Sequence, residues 1–386
     1  MYDYFPNNYN WSLALYSVSS MGLPLSFVGR VASQLSEFSD PADPRAPERW
    51  YQTWMSLGSK FESAAQEDHD GDRLFSAGAK FRRASLCYFM ANRMMSHHDA
   101  RQIQSYNKGV EAFAAHLQAA DEPAELIDVP YQDTSLPAVL SKAPGDGAKP
   151  CMVHFDGFDF LKEFNYTITA EAYRKRGVSV LYVDHPGVGG ALRLRGLTSF
   201  PESEIPAGAA VDYLEGRADI DAARIGMVAL SLGGYYASRA AAYEKRLKCC
   251  IAWGALYDFE EIANPLVSGD SKVPSVTNFQ EHLMWVFGKD TVAEAMEIAK
   301  QFNLRDVVKD ITVPYLIVHG ENDRQVPMHQ AEASYNGAVN SPRRELKVFS
   351  IDGGACEHCH VDDFEPAADY MADWAADILK ATPVRE

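Results

Sequence analysis

The sequence predicts an α/β fold: a mostly parallel sheet with helices on both faces, led by an antiparallel hairpin and preceded by a helical N-terminal region. Three observations carry this. From about Glu125 onward, buried β-rich runs alternate with helical stretches, the order that builds a parallel sheet. Two alternating runs joined by a tight turn, "AELIDVPYQ" and "SLPAVLSKAP", come first, as in a hairpin. Residues 1 to about 120 show no clear strand pattern.

The elements follow in chain order. Trp50, Trp54, Leu57, Phe61 and Ala65 recur at helical spacing, and a dense apolar run extends from Phe81 to Met95. Residues 1–122 are therefore expected to form a helical accessory or cap region. Its aromatic residues (Trp50, Tyr51, Trp54, Phe81, Tyr88, Phe89) read first as core and only second as a substrate wall. Residues 123–386 are expected to form the catalytic domain. After the loop "APGDGAKP" come a short buried strand "CMVHFDGF", the helix "EFNYTITAEAYRKRG" ending at Gly177, and a second buried strand "VSVLYVDHPG". The helix "EIPAGAAVDYLEGR", the strand "RIGMVAL", the helix "SLGGYYASRAAAYEK" and the strand "LKCCIAWGAL" continue the alternation. A helical insertion is expected at about 258–309. Beyond it lie the strand "VPYLIVHGEND", the helix "MHQAEASYNGAV", the strand "RELKVFSID" and a last helix to about Leu379.

Composition narrows the function classes. With 386 residues, 47% of them hydrophobic, the chain can bury a sizeable core without disulfides or structural metal. Its net charge is −17, from 36 Lys+Arg against 53 scattered Asp+Glu. Such a surface repels phosphate backbones and anionic lipid heads, so a small-molecule substrate is expected rather than nucleic acid or membrane. Cys151, Cys249 and Cys250 fall in apolar segments and read as buried small hydrophobes. The N-terminus "MYDYFPNNYNW" has no Lys or Arg, unlike the basic start of a signal peptide, which makes a cytoplasmic location the expectation.

The chemistry starts at "VALSLGGYY", Val228–Tyr236. Ser231 lies between a β-rich run and an alanine-rich helix, with Ala229 two residues before it and Gly233 two after. This is G-x-S-x-G with the first glycine replaced by alanine. The motif sets a serine on a strained strand-to-helix turn, where small neighbours avoid a backbone clash. A plain serine N-cap is the competing reading, but the strand–turn–helix context is the one that a nucleophile requires.

Chain order in this arrangement is serine, acid, histidine. Asp323, 92 residues after Ser231, sits in the turn of "VPYLIVHGENDRQVP", and Glu321 in the same turn is the alternative acid. The base is expected one strand later, in "GGACEHCHVDD". His358 is preferred, with His360 as the alternative, because histidine can take and return a proton near neutral pH. Oxyanion donors are expected at the backbone of Leu232 and of Phe158, in the loop after the first parallel strand. Asp159, Trp253 and Tyr257 follow strand ends and are candidate substrate contacts. Asp159, Glu163, Arg193 and Arg195 all lie after strand ends and could meet polar substrate groups, although each alone reads first as a solvated or structural charge.

The same loop also contains Cys356-Glu357-His358-Cys359-His360, which matches the C-x-x-C-H haem-attachment pattern. A cytoplasmic protein is a poor host for that chemistry. Four ligands within five residues are too crowded to close one zinc tetrahedron, and no second cluster was found along the chain. Neither cofactor nor metal is expected.

Together "FDGFDFLKEF", "DHPGVGG", "ALSLGGYYASRAAA", "HGENDRQVP" and "GGACEHCHV" resemble the α/β-hydrolases of the 2,6-dihydroxypseudooxynicotine hydrolase type and the fungal hydrolases that shorten polyketide pigment precursors. The resemblance covers roughly residues 125–386, and a helical N-terminal region is also a trait of that group. It implies an α/β-hydrolase fold and places the base on His358 through the pattern G-x-x-E-H-C. It further implies cleavage of a carbon–carbon bond next to a carbonyl in a diketone, aromatic ketone or polyketide-like substrate, often by a homodimer. A carboxylesterase or lactonase using the same residues is the alternative.

Overall fold

The structure is a computed structural model, described here for residues 3–271 and 273–383. The chain divides into two compact units, one of Met1–Ala124 with Lys272–His282 and one of Glu125–Ser271 with Leu283–Glu386.

The first unit is built on the helices Tyr9–Ser20, Leu25–Leu35, Ala46–Asp70, Leu74–Arg93 and Ala100–Ala119. Most of its aromatic residues singled out in the sequence are core, whereas Phe75 stands exposed. Trp50, Trp54 and Tyr88 are fully buried, and the Trp50 indole donates to the Met90 carbonyl at 2.5 Å. Gly58 and Gly109 let helices approach closely. A Cβ at Gly58 would lie 2.7 Å from the Tyr88 ring, and one at Gly109 would lie 2.5 Å from the Phe89 ring. Tyr51 is half-buried under the Arg101 guanidinium, 4.9 Å from its ring centre.

The second unit carries one eight-stranded sheet: β1 (Ala124–Tyr131), β2 (Thr134–Ser141), β3 (Lys149–Phe155), β4 (Ser179–Val183), β5 (Ile220–Leu230), β6 (Cys250–Trp253), β7 (Tyr315–Gly320) and β8 (Arg344–Phe349). Spatial order is β1-β2-β4-β3-β5-β6-β7-β8. β2 runs antiparallel to β4, and the pairs from β4–β3 to β7–β8 are parallel. Only the two residues Gln132 and Asp133 separate β1 from β2; so short a link joins antiparallel strands. β4, β6 and β7 are buried along their whole length, as expected for strands covered on both faces. β1 at one edge alternates towards solvent. This is the α/β-hydrolase architecture that the sequence predicts.

Register decides where the chemistry sits. Phe155 pairs with Ala229, Leu230 with Trp253, Trp253 with Val318, and Gly320 with Phe349. The C-terminal ends of β3, β5, β6, β7 and β8 are thus aligned, and the loops leaving them gather on one edge of the sheet. That edge is where open α/β sheets bind ligands.

Three details depart from expectation. β5 starts at Ile220, before "RIGMVAL"; β6 has only four residues; and a helix at Gly189–Arg195 follows β4. The insertion contains the helices Phe259–Ser268, Phe279–Phe287 and Val292–Ala299. Among the described residues no helix is long and apolar enough to cross a membrane.

Candidate active site

Ser231 occupies the turn between β5 and the helix Gly233–Tyr243, with φ +60°. A side chain there is strained, and the strain persists because the surroundings over-determine the turn. The Ser231 N–H donates to the Trp253 carbonyl at 2.7 Å. A Cβ at Gly233 would lie 2.7 Å from the Ala229 methyl and 2.8 Å from the Asp156 carbonyl. This explains the altered motif: the methyl at 229 fits because 233 is glycine.

Asp323 and His358 complete the arrangement. His358 Nε2 lies 2.9 Å from Ser231 Oγ, and His358 Nδ1 lies 2.7 Å from Asp323 Oδ2. Oδ1 of Asp323 accepts the N–H groups of Gln325 at 2.9 Å and Val326 at 2.8 Å, which locks the carboxylate. Side-chain exposure is 7% for His358 and 1% for Asp323. Burial works against the Asp323 charge, but the neighbouring His358 ring outweighs it, and the carboxyl lies below its ordinary value. Burial also opposes charge on His358, yet the Asp323 carboxylate, together with the neighbouring Cys359 and their hydrogen bonds, holds the ring well above the usual histidine range.

The alternatives are spent elsewhere. Glu321 accepts the Ile351 N–H at 2.8 Å. His360 is fully buried, and its Nδ1 accepts the Trp253 indole N–H at 2.7 Å. Burial lowers the pKa of His360 to about 3, so it stays neutral. Trp253 is itself fully buried, a core position rather than a substrate wall. Cys359 Sγ lies 3.5 Å from His358 Nε2. Burial raises the Cys359 pKa above its ordinary value. In the C-x-x-C-H letters the histidine is His360, and its Nδ1 is taken by the Trp253 indole. Asp362 pins this loop by accepting the Cys356 and Glu357 N–H groups, each at 3.0 Å.

The loop after β3 lies against the serine. A Cβ at Gly157 would stand 2.9 Å from Ser231 Cβ and 3.5 Å from its Oγ. Phe158 follows, its ring 5.5 Å from that of Phe259. Leu232 opens the helix Gly233–Tyr243, and N–H groups at a helix start have no intrahelical acceptor. Both expected oxyanion donors are therefore in segments that border Ser231.

Sequence reasoning missed the buried charges that hold this loop. Lys162 Nζ donates to Glu163 at 2.6 Å and to Asp184 at 2.7 Å, with all three side chains at most 5% exposed. Asp184 also accepts the Gly190 N–H at 2.7 Å. Asp156 accepts from the Asn165 amide, and its carbonyl meets His185 Nε2 at 3.2 Å. Burial first, then the Asp184 and Glu163 charges, raise the Asp156 pKa well above its ordinary value. Glu163 is thus engaged in a buried ion pair with Lys162. Arg195 binds the Ser135 carbonyl and Asp128, and Arg193 lies 5.2 Å over the Trp285 ring. The available signal was Asp184, a carboxylate at the end of a fully buried strand. Tyr257 and Asp159 are half-buried beyond strand ends, and the Tyr257 N–H donates to Gln330 at 2.8 Å.

Comparison with known proteins places these features in a family. Residues 45–274 match the family described as Esterase FrsA-like. The chain is 28% identical over 335 residues to 2,6-dihydropseudooxynicotine hydrolase of Paenarthrobacter nicotinovorans, covering 86% of this chain and 85% of that protein. It is 30% identical over 345 residues to Hydrolase ORFZ of Pyricularia oryzae, covering 78% and 81%. The crystal structure of the 2,6-dihydroxy-pseudo-oxynicotine hydrolase superposes with a TM-score of 0.77 at 24% identity, over 96% of this chain and 98% of that one; this likeness concerns the fold.

Proposed function

The chain belongs to the FrsA-like esterase family of α/β-hydrolases, and from that premise we propose that it is a serine hydrolase cleaving a carbon–carbon bond next to a carbonyl, in a diketone, aromatic ketone or polyketide-like substrate. The observation that carries this reading is His358, held between Ser231 Oγ at 2.9 Å and Asp323 at 2.7 Å. Asp323 orients the ring and stabilises its charged form.

In the proposed reaction His358 Nε2 takes the Ser231 proton as Oγ attacks the ketone carbon. The N–H groups of Leu232 and Phe158 stabilise the tetrahedral oxyanion. The oxyanion collapses, the carbon–carbon bond breaks, and its electron pair leaves as an enolate that the His358 imidazolium protonates. Water then gives a proton to His358 and attacks the acyl ester. The carboxylic acid departs, and Ser231 recovers its proton. Direct activation of water by His358 is the variant of the first step. Tyr257 and Asp159 are the proposed substrate contacts.

The relative named for 2,6-dihydropseudooxynicotine supports a ketonic substrate. The family description as esterase favours a second reading, carboxylic ester or lactone hydrolysis by the same residues. Product analysis by mass spectrometry separates the two. Incubation with a 1,3-diketone should yield an acid and a ketone, both absent with Ser231→Ala. Fast turnover of p-nitrophenyl esters with no diketone cleavage would contradict the carbon–carbon reading. A cytoplasmic homodimer is part of the proposal; light scattering should give the mass of two chains.

A further inference from the structure

Outside the candidate active site, the helical unit brings two histidines and a carboxylate together. His97 and His98 form the turn between the helices Leu74–Arg93 and Ala100–Ala119, and Glu281 lies in the first turn of the helix Phe279–Phe287. One ligand atom from each of the three lies within 4.8 Å of the others. We infer that His97, His98 and Glu281 form a binding site for a divalent first-row metal ion, with zinc as the best-suited occupant.

The spacing fits that chemistry. Zinc bonds of about 2.0–2.1 Å place tetrahedral ligand atoms about 3.3 Å apart. His97 Nδ1 and Glu281 Oε1 are already 3.1 Å apart. The two imidazole rings lie with centroids 3.9 Å apart and planes tilted by 40°, so small rotations of partly exposed side chains close the third edge. An ion pair alone would need one histidine; the second brings another nitrogen to the same carboxylate.

The carboxylate is held in place. Ser96 Oγ donates to Glu281 Oε1, and Asn278 Nδ2 donates to Glu281 Oε2 at 3.2 Å. Ser96 Oγ also accepts the His98 N–H at 3.1 Å, tying the turn to the same group. Such outer partners orient ligands and tune a metal site. Asp99 is not a fourth ligand, because both its oxygens bind Arg101. The remaining coordination positions go to water, and side-chain exposures of 19% for His97 and 24% for Glu281 leave a path for entry. The expected consequence is structural: an ion here joins two segments 184 residues apart, from His97 to Glu281, within the helical unit, and binding to the folded state stabilises it.

The test is calorimetric titration of the chelator-treated full-length protein with Zn²⁺ alone, paired with thermal melts. One equivalent should bind, and the melting temperature should rise with Zn²⁺. H97A, H98A and E281Q should each weaken binding by about tenfold or more, with unchanged circular dichroism and hydrolytic rate, while H358A should bind Zn²⁺ as the unmodified chain does. H98Q provides a milder second variant. Stoichiometric binding that persists in H97A, loss of binding in H358A instead, or no binding at all would each overturn the assignment.

Discussion

Two regions of this molecule each place two histidines close together in the chain. The loop 353–363 offers His358 and His360, and the turn 94–99 offers His97 and His98. Each pair meets a carboxylate from a distant segment, Asp323 in one case and Glu281 in the other. Their chemistry differs because burial and the third partner differ. His358 is enclosed, and its second nitrogen faces a serine on a strained turn. Its neighbour His360 is diverted into a hydrogen bond with Trp253. His97 is half-exposed, and its partner beyond the carboxylate is another imidazole. One arrangement moves a proton; the other is suited to hold an ion.

The largest effect should separate the two histidine pairs. His358→Ala should reduce kcat by roughly 10⁴–10⁶, whereas His97→Ala should leave steady-state hydrolysis within experimental error. A comparable loss in both would break the comparison.

Replacing the carboxylates sharpens it. Asp323→Asn should cost about 10³–10⁴ in kcat by disfavouring the productive tautomer, and Glu281→Gln should cost nothing in rate. The pH dependence follows from charge. Protonated His358 cannot accept the serine proton, and against burial the Asp323 carboxylate helps hold its pKa well above the ordinary histidine value. The rate should therefore rise with pH along a limb displaced above that value. Asp323→Asn removes the stabilising charge, so the limb should move to lower pH. A limb that stays in place would show that Asp323 does not set the titration.

The smallest expected rate effect concerns the other histidine of the loop. His360→Ala leaves the Trp253 N–H unpaired and opens a cavity, for a cost of about 2–4 kcal/mol in urea unfolding. Its rate should change by less than about tenfold. A catalytic collapse with unchanged stability would exchange the roles of the two histidines.

How much of this was legible in the sequence depends on distance along the chain. The parallel strands were readable because apolar runs such as Tyr315–Val318 and Cys151–Val153 announce strands covered on both faces. Ser231 was readable because its requirements are local, small residues on a strand-to-helix turn. His358 was preferred over His360 from the loop and its G-x-x-E-H-C resemblance; what occupies His360 needed packing, because only the structure shows its Nδ1 taken by Trp253. Trp253 was read as a possible pocket residue because position after a strand does not reveal burial. The Lys162–Asp184–Glu163 cluster was hidden because charges at strand ends usually face water. The third ligand of the His97–His98 pair lies 183 residues after His98 in an insertion helix, and no spacing rule reaches that far.

The central claim is that Ser231 is the nucleophile that His358 activates. Labelling with a fluorophosphonate, followed by peptide mass spectrometry, tests it most directly. One adduct per chain is expected, located on Ser231, with loss of labelling in His358→Ala while His360→Ala still reacts. An adduct on another residue, or full hydrolytic activity in Ser231→Ala, would contradict it.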